Sequence, residues 1–401
     1  MSHATGLDLD AQLAQVGEQV VAWRRHLHRH PELSHAEHQT AAYLAEQLAA
    51  LGLEPRQLTP TSVVADLPGE RPGHTVAVRA DIDALPITER TGLPFASVND
   101  GAMHACGHDG HAAVVLGVAA VLTARRGALH GSARFIFQHA EEHMPKGAPQ
   151  LIEAGVLEGV DAIIGHHLWA GLPVGTLGIN HGALMAASDG YRVRFTGRGG
   201  HGGMPHDTIE SIPAVADFIH AVHRLAAREF APEDPVIVSV TQLDAGHVYN
   251  VIPGSATVGG TARSLAPATR ERLAARIAEL AHDIARTHRI DAEVESTYGP
   301  PPLINAPEVV DLVAAHAGPD LTVQEIAPTM GGDDYADYLL HVPGAYVFVG
   351  ATEPGTDPVY PHHHPRFDIS ERALPLATGL LTRAAIALAR DGVPPAPTQP
   401  T

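Results

Sequence analysis

The stretch Met103–Ala113, MHACGHDGHAA, holds the only cysteine of the chain, with three histidines and an aspartate around it. Cys106 and His108 are one residue apart, so an extended loop could turn both toward one ion. Thiolate and imidazole together suit zinc and other borderline transition metals. A lone cysteine also serves as a small buried hydrophobe, or as a nucleophile where a histidine supplies the base. Two adjacent carboxylates, Glu141 and Glu142, follow the apolar run Phe135-Ile136-Phe137. Neighbouring acids repel unless a cation lies between them. On a strand they point opposite ways, so one could bind metal while the other holds a water. A carboxylate beside such a water acts as general base, because the metal lowers the water's pKa. His166-His167 and His362-His363-His364 complete the set. Singly, these are ordinary turn, loop or surface residues; the joint reading is stronger because all fall at strand ends or adjoining loops.

The elements that must position them follow from periodicity. Apolar residues recur at helical spacing from Leu9 to Leu51, interrupted at Pro31 and closed by Gly52. Strands are expected at Thr75–Arg79, Ser132–Phe137, Asp161–Gly165 and Gly344–Gly350, with a helix over about Gly110–Ala124. Several strands run out into Asp, Glu or His, and ligands of open α/β sheets bind beyond those ends. Strands alternating with helices predict an α/β fold with a mainly parallel sheet. The middle differs: Asp189–Gly197, Pro235–Leu243, Ala256–Ala262 and Asp291–Thr297 read as strands. Helix faces are marked by Ile212, Val215, Ile219, Val222, Leu225 and by Leu273, Ile277, Leu280, Ile284. That order, βαββαβ, is the ferredoxin-like arrangement. The expected organisation is a catalytic domain in two segments, 1–186 and 299–390, an inserted α+β domain at 187–298, and a Pro-rich disordered tail at 391–401.

Composition narrows the class. At 401 residues two domains are expected, and 45% apolar with 18% charged residues describes a globular enzyme-sized protein. A formal charge of −19 argues against a nucleic-acid partner. One cysteine forms no intrachain disulfide, the N-terminus lacks a signal pattern, and no apolar run reads as a membrane span. A cytoplasmic protein with no membrane partner is expected. Of the 28 histidines most must be bland: His220, His223, His282 and His288 are expected on solvated helix faces.

The chain resembles the dinuclear-metal amidohydrolases and peptidases of the hippurate hydrolase and auxin–amino acid conjugate hydrolase group, relatives of aminoacylase and carboxypeptidase G. The resemblance rests on HRHPELSHAE, VRADIDALPITE, MHACGHDGHAA, FIFQHAEE, GHHLWA, GRGGHGGMPH, NVIPG, GTAR, MGGDDYADY and HHHPRFDISE, in the family's order. It implies two divalent metal ions held by Cys106, His108, Glu142, His167 and His363, with Cys106 bridging. Zinc or manganese is expected first, with cobalt and nickel also permitted. Glu141 is implied as general base, and Asp81 and Asp83 as residues orienting the histidines. The inserted domain is implied to be a lid and a dimer interface. Its His201 would stabilise the tetrahedral intermediate, from its own or the partner subunit, while Asn250 and Arg263 hold the substrate. Arg263 suits a free carboxylate, which a guanidinium can grip with two N–H groups.

Three positions depart from the family's common pattern: His143-Met144-Pro145-Lys146 in place of a glycine-rich turn, Ala170 where proline is frequent, and Asp333 where glutamate is frequent. They bear on the substrate, not on the chemistry. The expected activity is hydrolysis of N-acyl-L-amino acids by a homodimer or higher homo-oligomer. N-acetyl-diaminopimelate deacetylation or dipeptide cleavage is the nearest rival. A cysteine hydrolase and a non-catalytic metal-binding homologue stand further off.

Overall fold

The computed structural model describes residues 8–395. The chain forms two compact units: Met1–Gly182 with Ile304–Ala327 and Asp337–Thr401, and Ala183–Leu303 with Pro328–Ala336. The segment Pro328–Ala336, which the sequence placed in the discontinuous catalytic domain, groups with the inserted unit. Of the expected tail, 396–401 lie outside the described residues, while Asp391 still belongs to the last helix, Ala373–Asp391.

The first unit is built on a seven-stranded sheet in the order Val63–Pro68, His130–Gln138, Arg71–Asp81, Ala162–Pro173, Gly344–Thr352, Thr176–Ile179, Thr322–Glu325. His130–Gln138, Arg71–Asp81, Ala162–Pro173 and Gly344–Thr352 run parallel; Val63–Pro68 and Thr176–Ile179 pair antiparallel with the outer two of them, and the edge strand Thr322–Glu325 pairs parallel with Thr176–Ile179. Strands buried on both faces read as continuous apolar runs. Val76–Val78, Ile163-Ile164 and Ala345–Val349 are accordingly buried throughout. The helices Leu9–Arg29, His108–Ala124 and Ala373–Asp391 pack together over this sheet. The last of these is long and apolar enough to cross a membrane, contrary to the expectation that no such run exists, but most of it is buried as a core helix.

Two boundaries matter for the site. The strand expected to stop at Gly165 continues to Pro173, because its parallel ladder with Gly344–Thr352 extends that far and pairs His167 with Phe348. His167 is therefore a mid-strand residue. The strand before the paired glutamates ends at Gln138, and Ala140 turns the chain with φ 49°, so Glu141 and Glu142 lie in a bend and not on a strand.

The second unit contains a four-stranded antiparallel sheet in the order Asp291–Thr297, Ala187–Thr196, Ser255–Ser264, Val236–Asp244. The helices Ser211–Glu229 and Pro267–His288 pack on it around Val193, Phe195, Phe218 and Ile277. In chain order this is βαββαβ, as the sequence pattern predicts.

Candidate metal centre

The loop that carries Cys106 feeds directly into the His108–Ala124 helix through Gly107, whose φ of 93° is a left-handed conformation open to glycine. That turn brings Cys106 and His108 to the same side. His108 is then oriented by Asp83: its Nδ1 lies 3.0 Å from the Asp83 carbonyl oxygen and 3.2 Å from Oδ1. Both partners are acceptors, so Nδ1 carries the proton and Nε2 keeps its lone pair when the ring is neutral. His167 repeats the arrangement. Its Nδ1 donates to the Leu168 carbonyl at 3.0 Å, and its Nε2 lies 3.5 Å from Cys106 Sγ. His363 comes from the loop after Gly344–Thr352, which is pinned to the cysteine loop by the His363 N–H donating to Ala105 O at 2.8 Å. Its side chain is 53% exposed, and its Nε2 is 3.2 Å from Glu142 Oε1.

Potential ligand atoms of Cys106, His108 and His167 lie within 4.8 Å of one another, and so do those of Cys106, Glu142 and His363. The two triads share the thiol. A third group joins His108, Glu141 and Glu142. All five expected ligands and the expected base therefore converge, on segments far apart in the sequence.

The electrostatics of this cluster call for cations. Glu142 Oε1 is buried and accepts no hydrogen bond, although His363 Nε2 is 3.2 Å and His108 Nε2 3.9 Å away. Unpaired buried carboxylate oxygens are costly. Burial, together with Glu142 and Glu141, pushes the Cys106 thiol well above its ordinary value. Burial and the neighbouring His111 and His362 hold His167 neutral. Burial opposes charge on His108, but Asp81 and Asp83 raise it well above its ordinary value. A thiol, the lone pair of neutral His167 and an unsatisfied carboxylate around shared points fit divalent metal ions, which would take the place of the proton on His108 Nε2.

Both strand-end aspartates contact the site's histidines, by different routes. Burial opposes ionisation of Asp83, but its hydrogen bonds to His108 and Ser34 bring it down to about 2. Its Oδ2 also accepts the Glu142 N–H at 2.9 Å and the Ser34 hydroxyl at 2.6 Å. One carboxylate thus sets His108 and the Glu142 backbone together. Asp81 instead accepts from His111 Nδ1 at 2.6 Å, while His111 Nε2 accepts the Leu168 N–H at 2.9 Å. Both His111 nitrogens are thereby occupied. His111 acts as a strut between Asp81 and the strand carrying His167, although its atoms lie within ligand distance of Asp81 and His108.

Further residues that sequence reasoning left without a role support this arrangement. Glu37, in the HRHPELSHAE motif, accepts the Ala140 N–H at 2.8 Å and so holds the bend before the paired glutamates. His362 accepts the Ala170 N–H at 3.3 Å; burial pulls it down to about 3. Lys146 lies 3.2 Å from Glu141 Oε1. The motif around Glu37 was the available signal there; nothing in the periodicity marked Lys146. His104 and His166 are buried with both ring nitrogens unpartnered, and burial lowers the pKa of each. Of the four helix histidines expected in solvent, His288 pairs with Asp217 at 2.8 Å and is only partly exposed.

The remaining expected residues belong to the second unit. His201 lies on a short strand paired with Val251, and the Gly202 N–H donates to Asn250 O at 2.8 Å, so His201 and Asn250 sit on the two strands of one small antiparallel ladder. His201 Nδ1 accepts the Gly203 N–H at 3.0 Å, which places the proton of a neutral ring on Nε2. Arg263, on Ser255–Ser264, donates through Nε to Thr261 Oγ1 at 3.1 Å.

Comparison with known proteins identifies the family. The model of peptidase family M20/M25/M40 matches residues 77–387. An N-acyl-L-amino acid amidohydrolase of Geobacillus stearothermophilus is 45% identical over 295 residues, covering 73% of this chain and 80% of that protein. An N-acetyl-L-cysteine deacetylase of Bacillus subtilis (strain 168) is 39% identical over 376 residues, covering 93% and 89%. The crystal structure of the Bacillus subtilis YXEP protein, described as a dinuclear metal binding peptidase from the M20 family, superposes with a TM-score of 0.83 at 35% identity, covering 94% and 99%. The motifs, the shared-thiol cluster and a family match spanning most of the chain agree: this protein belongs to peptidase family M20/M25/M40 and is a hydrolytic enzyme.

Proposed function

We propose that this enzyme hydrolyses the amide bond of N-acyl-L-amino acids, with hippurate-like or N-acetyl compounds as substrates. The observation that carries the reading is the pair of ligand triads sharing Cys106, with Glu141 adjoining them. Relatives named for N-acyl-L-amino acid and N-acetyl-L-cysteine hydrolysis support the substrate class. Cys106, His108, Glu142, His167 and His363 would hold two divalent ions, zinc or manganese before cobalt or nickel. Bound there, such ions supply Lewis acidity toward a carbonyl and acidify water.

The protein's own residues do the rest. Asp83 fixes His108 so that its lone pair faces inward. Glu141 takes the proton of the attacking water and passes it to the leaving amine, since one carboxylate can act first as base and then as acid. His201 offers its Nε2–H to the developing oxyanion. Arg263 grips the substrate carboxylate and Asn250 binds beside it. A homodimer or higher homo-oligomer working in the cytoplasm is part of the same proposal.

Glu141→Gln keeps the side chain's size and removes the base. Metal content measured by elemental analysis should stay unchanged, while kcat falls by about 10²-fold to 10⁴-fold. A variant that turns over N-acyl substrates at the normal rate would remove Glu141 from the mechanism. A panel pairing N-acetyl and N-benzoyl groups with varied amino acids, alongside dipeptides and N-acetyl-diaminopimelate, decides the substrate class.

A further inference from the structure

A second place where ligating side chains meet lies on the first unit and shares no residue with the groups around Cys106. His26 and His30 stand four residues apart at the end of the helix Leu9–Arg29, with His30 as its C-terminal cap. Residues at that spacing lie on one helix face, one turn apart. Both side chains are exposed, and their ring centres are 4.6 Å apart. The helix His38–Ala50 contributes Gln39, Tyr43 and Glu46, again at helical spacing, to the same groove. The groove measures about 380 Å³. That is room for an ion and several waters, each of which fills about 30 Å³.

Both rings are prepared for a ligand. His30 Nδ1 lies 2.8 Å from the His26 carbonyl oxygen. The oxygen can only accept, so Nδ1 carries the proton and Nε2 presents its lone pair when the ring is neutral. A ring N–H anchored on a carbonyl is the usual support of a metal-bound histidine. His26 is stacked on Tyr43, 3.8 Å between ring centres and 16° between planes. Neither nitrogen of His26 has a hydrogen-bond partner among the described residues, and the Glu46 carboxylate has none either. Burial and His30 hold His26 below the ordinary histidine value, against the pull of Glu46. The ring spacing suits one ion. With a metal–nitrogen bond of about 2.0 Å the ion lies about 3.2 Å from each ring centre, so ligands about 90° apart have centres about 4.5 Å apart. Tetrahedral ligands would need about 5.2 Å. Nitrogen and oxygen donors at right angles are the set that copper and nickel prefer.

We propose that His26, His30 and Glu46 form a separate metal site for one divalent copper or nickel ion, which ties the helix Leu9–Arg29 to the helix His38–Ala50. The segment between these helices carries Ser34, which donates to Asp83, and Glu37, which accepts the Ala140 N–H. An ion at the site fixes both ends of that segment. It takes no part in hydrolysis, and the inference does not rest on the functional reading above.

The test uses the full-length, tag-free protein loaded with zinc and titrated with Ni²⁺ by calorimetry. Zinc content is measured after each titration, so that exchange at the candidate centre is counted separately. Wild type should bind one equivalent of nickel more than His26→Gln or His30→Gln. Glu46→Gln should keep that equivalent but bind it at least about 10-fold more weakly, the smallest loss expected when a group supporting a metal is removed. Hydrogen exchange followed by mass spectrometry reads the tie itself: nickel should slow amide exchange across residues 30–38 in wild type and leave it unchanged in His30→Gln. The proposal is overturned by equal nickel stoichiometry in wild type and the histidine variants. It is also overturned by Glu46→Gln binding as tightly as wild type, or by exchange across 30–38 that is indifferent to nickel.

Discussion

Asp83 is the residue on which most of the centre's geometry converges. It accepts from His108 Nδ1, from Ser34 and from the backbone of Glu142, and it is buried. Asp83→Asn keeps the volume, but an amide offers one acceptor oxygen where the carboxylate offers two. It also brings an NH₂ toward at least one existing donor. His108 would lose both its orientation and the charge that makes it a better ligand. Residues in this position typically change metal affinity by about 10-fold to 100-fold when mutated. Competition with a chromophoric chelator should show a loss of that size in Asp83→Asn. Equal affinity in the variant would mean that the Asp83 carbonyl oxygen alone orients His108.

At the scale of elements, the helix Leu9–Arg29 braces the metal loop through charge. Arg24 donates to Asp109 Oδ2 at 3.0 Å and to Asp368 Oδ1 at 2.7 Å, while His28 Nδ1 lies 2.9 Å from Asp109 Oδ2 and its Nε2 3.3 Å from Glu89. Burial opposes charge on His28 and Arg24 repels it, but Asp109 and Glu89 outweigh both and raise His28 to about 9. A folded pKa above the unfolded value of about 6.5 stabilises fully below that pH, and the stabilisation is lost as pH rises toward about 9. The difference corresponds to about 3 kcal/mol. Chemical denaturation of wild type and His28→Gln should therefore converge between about pH 6.5 and 9, with wild type the more stable at the lower end. Parallel profiles across that window would show that His28 is neutral in the folded protein. None of this was visible in periodicity, because Arg24 and His28 look like a polar helix face until Asp109 is folded against them. The elements themselves were legible where local pattern and burial agree, as in Val76–Val78 and Ala345–Val349. They were not in the short strands Val63–Pro68 and Thr176–Ile179, at or near the sheet's edge, nor in Thr322–Glu325, which is exposed along its whole length. Such strands exist because a distant partner supplies the hydrogen bonds. The residues of the candidate centre were legible through the family's motifs, and His111 as a support of the loop that follows them, whereas the part played by Glu37 depends on a contact that spacing does not encode.

Over the whole molecule, the candidate centre ties together parts of the first unit that the sequence keeps far apart: the Cys106 loop, the bend at Glu142, the strand through His167 and the loop of His363. Their side chains crowd acidic groups and a thiol into a buried space, an arrangement unfavourable without cations and favourable with them. Ligands assembled only by folding make metal affinity part of the folding free energy, so a bound metal raises apparent stability by mass action. Removing it should do two things at once. The thermal midpoint should fall by several degrees, about what a loss of 1 to 3 kcal/mol produces in a chain of this size. The single cysteine, which is only partly covered, should also become titratable by a thiol reagent under native conditions, one equivalent per chain. Adding back zinc or manganese should reverse both. A thiol equally reactive in the loaded and stripped protein would show that Cys106 is not a ligand. A thiol that stays protected in stripped protein of unchanged midpoint would make it a packing residue, and the two triads would then lose the atom they share.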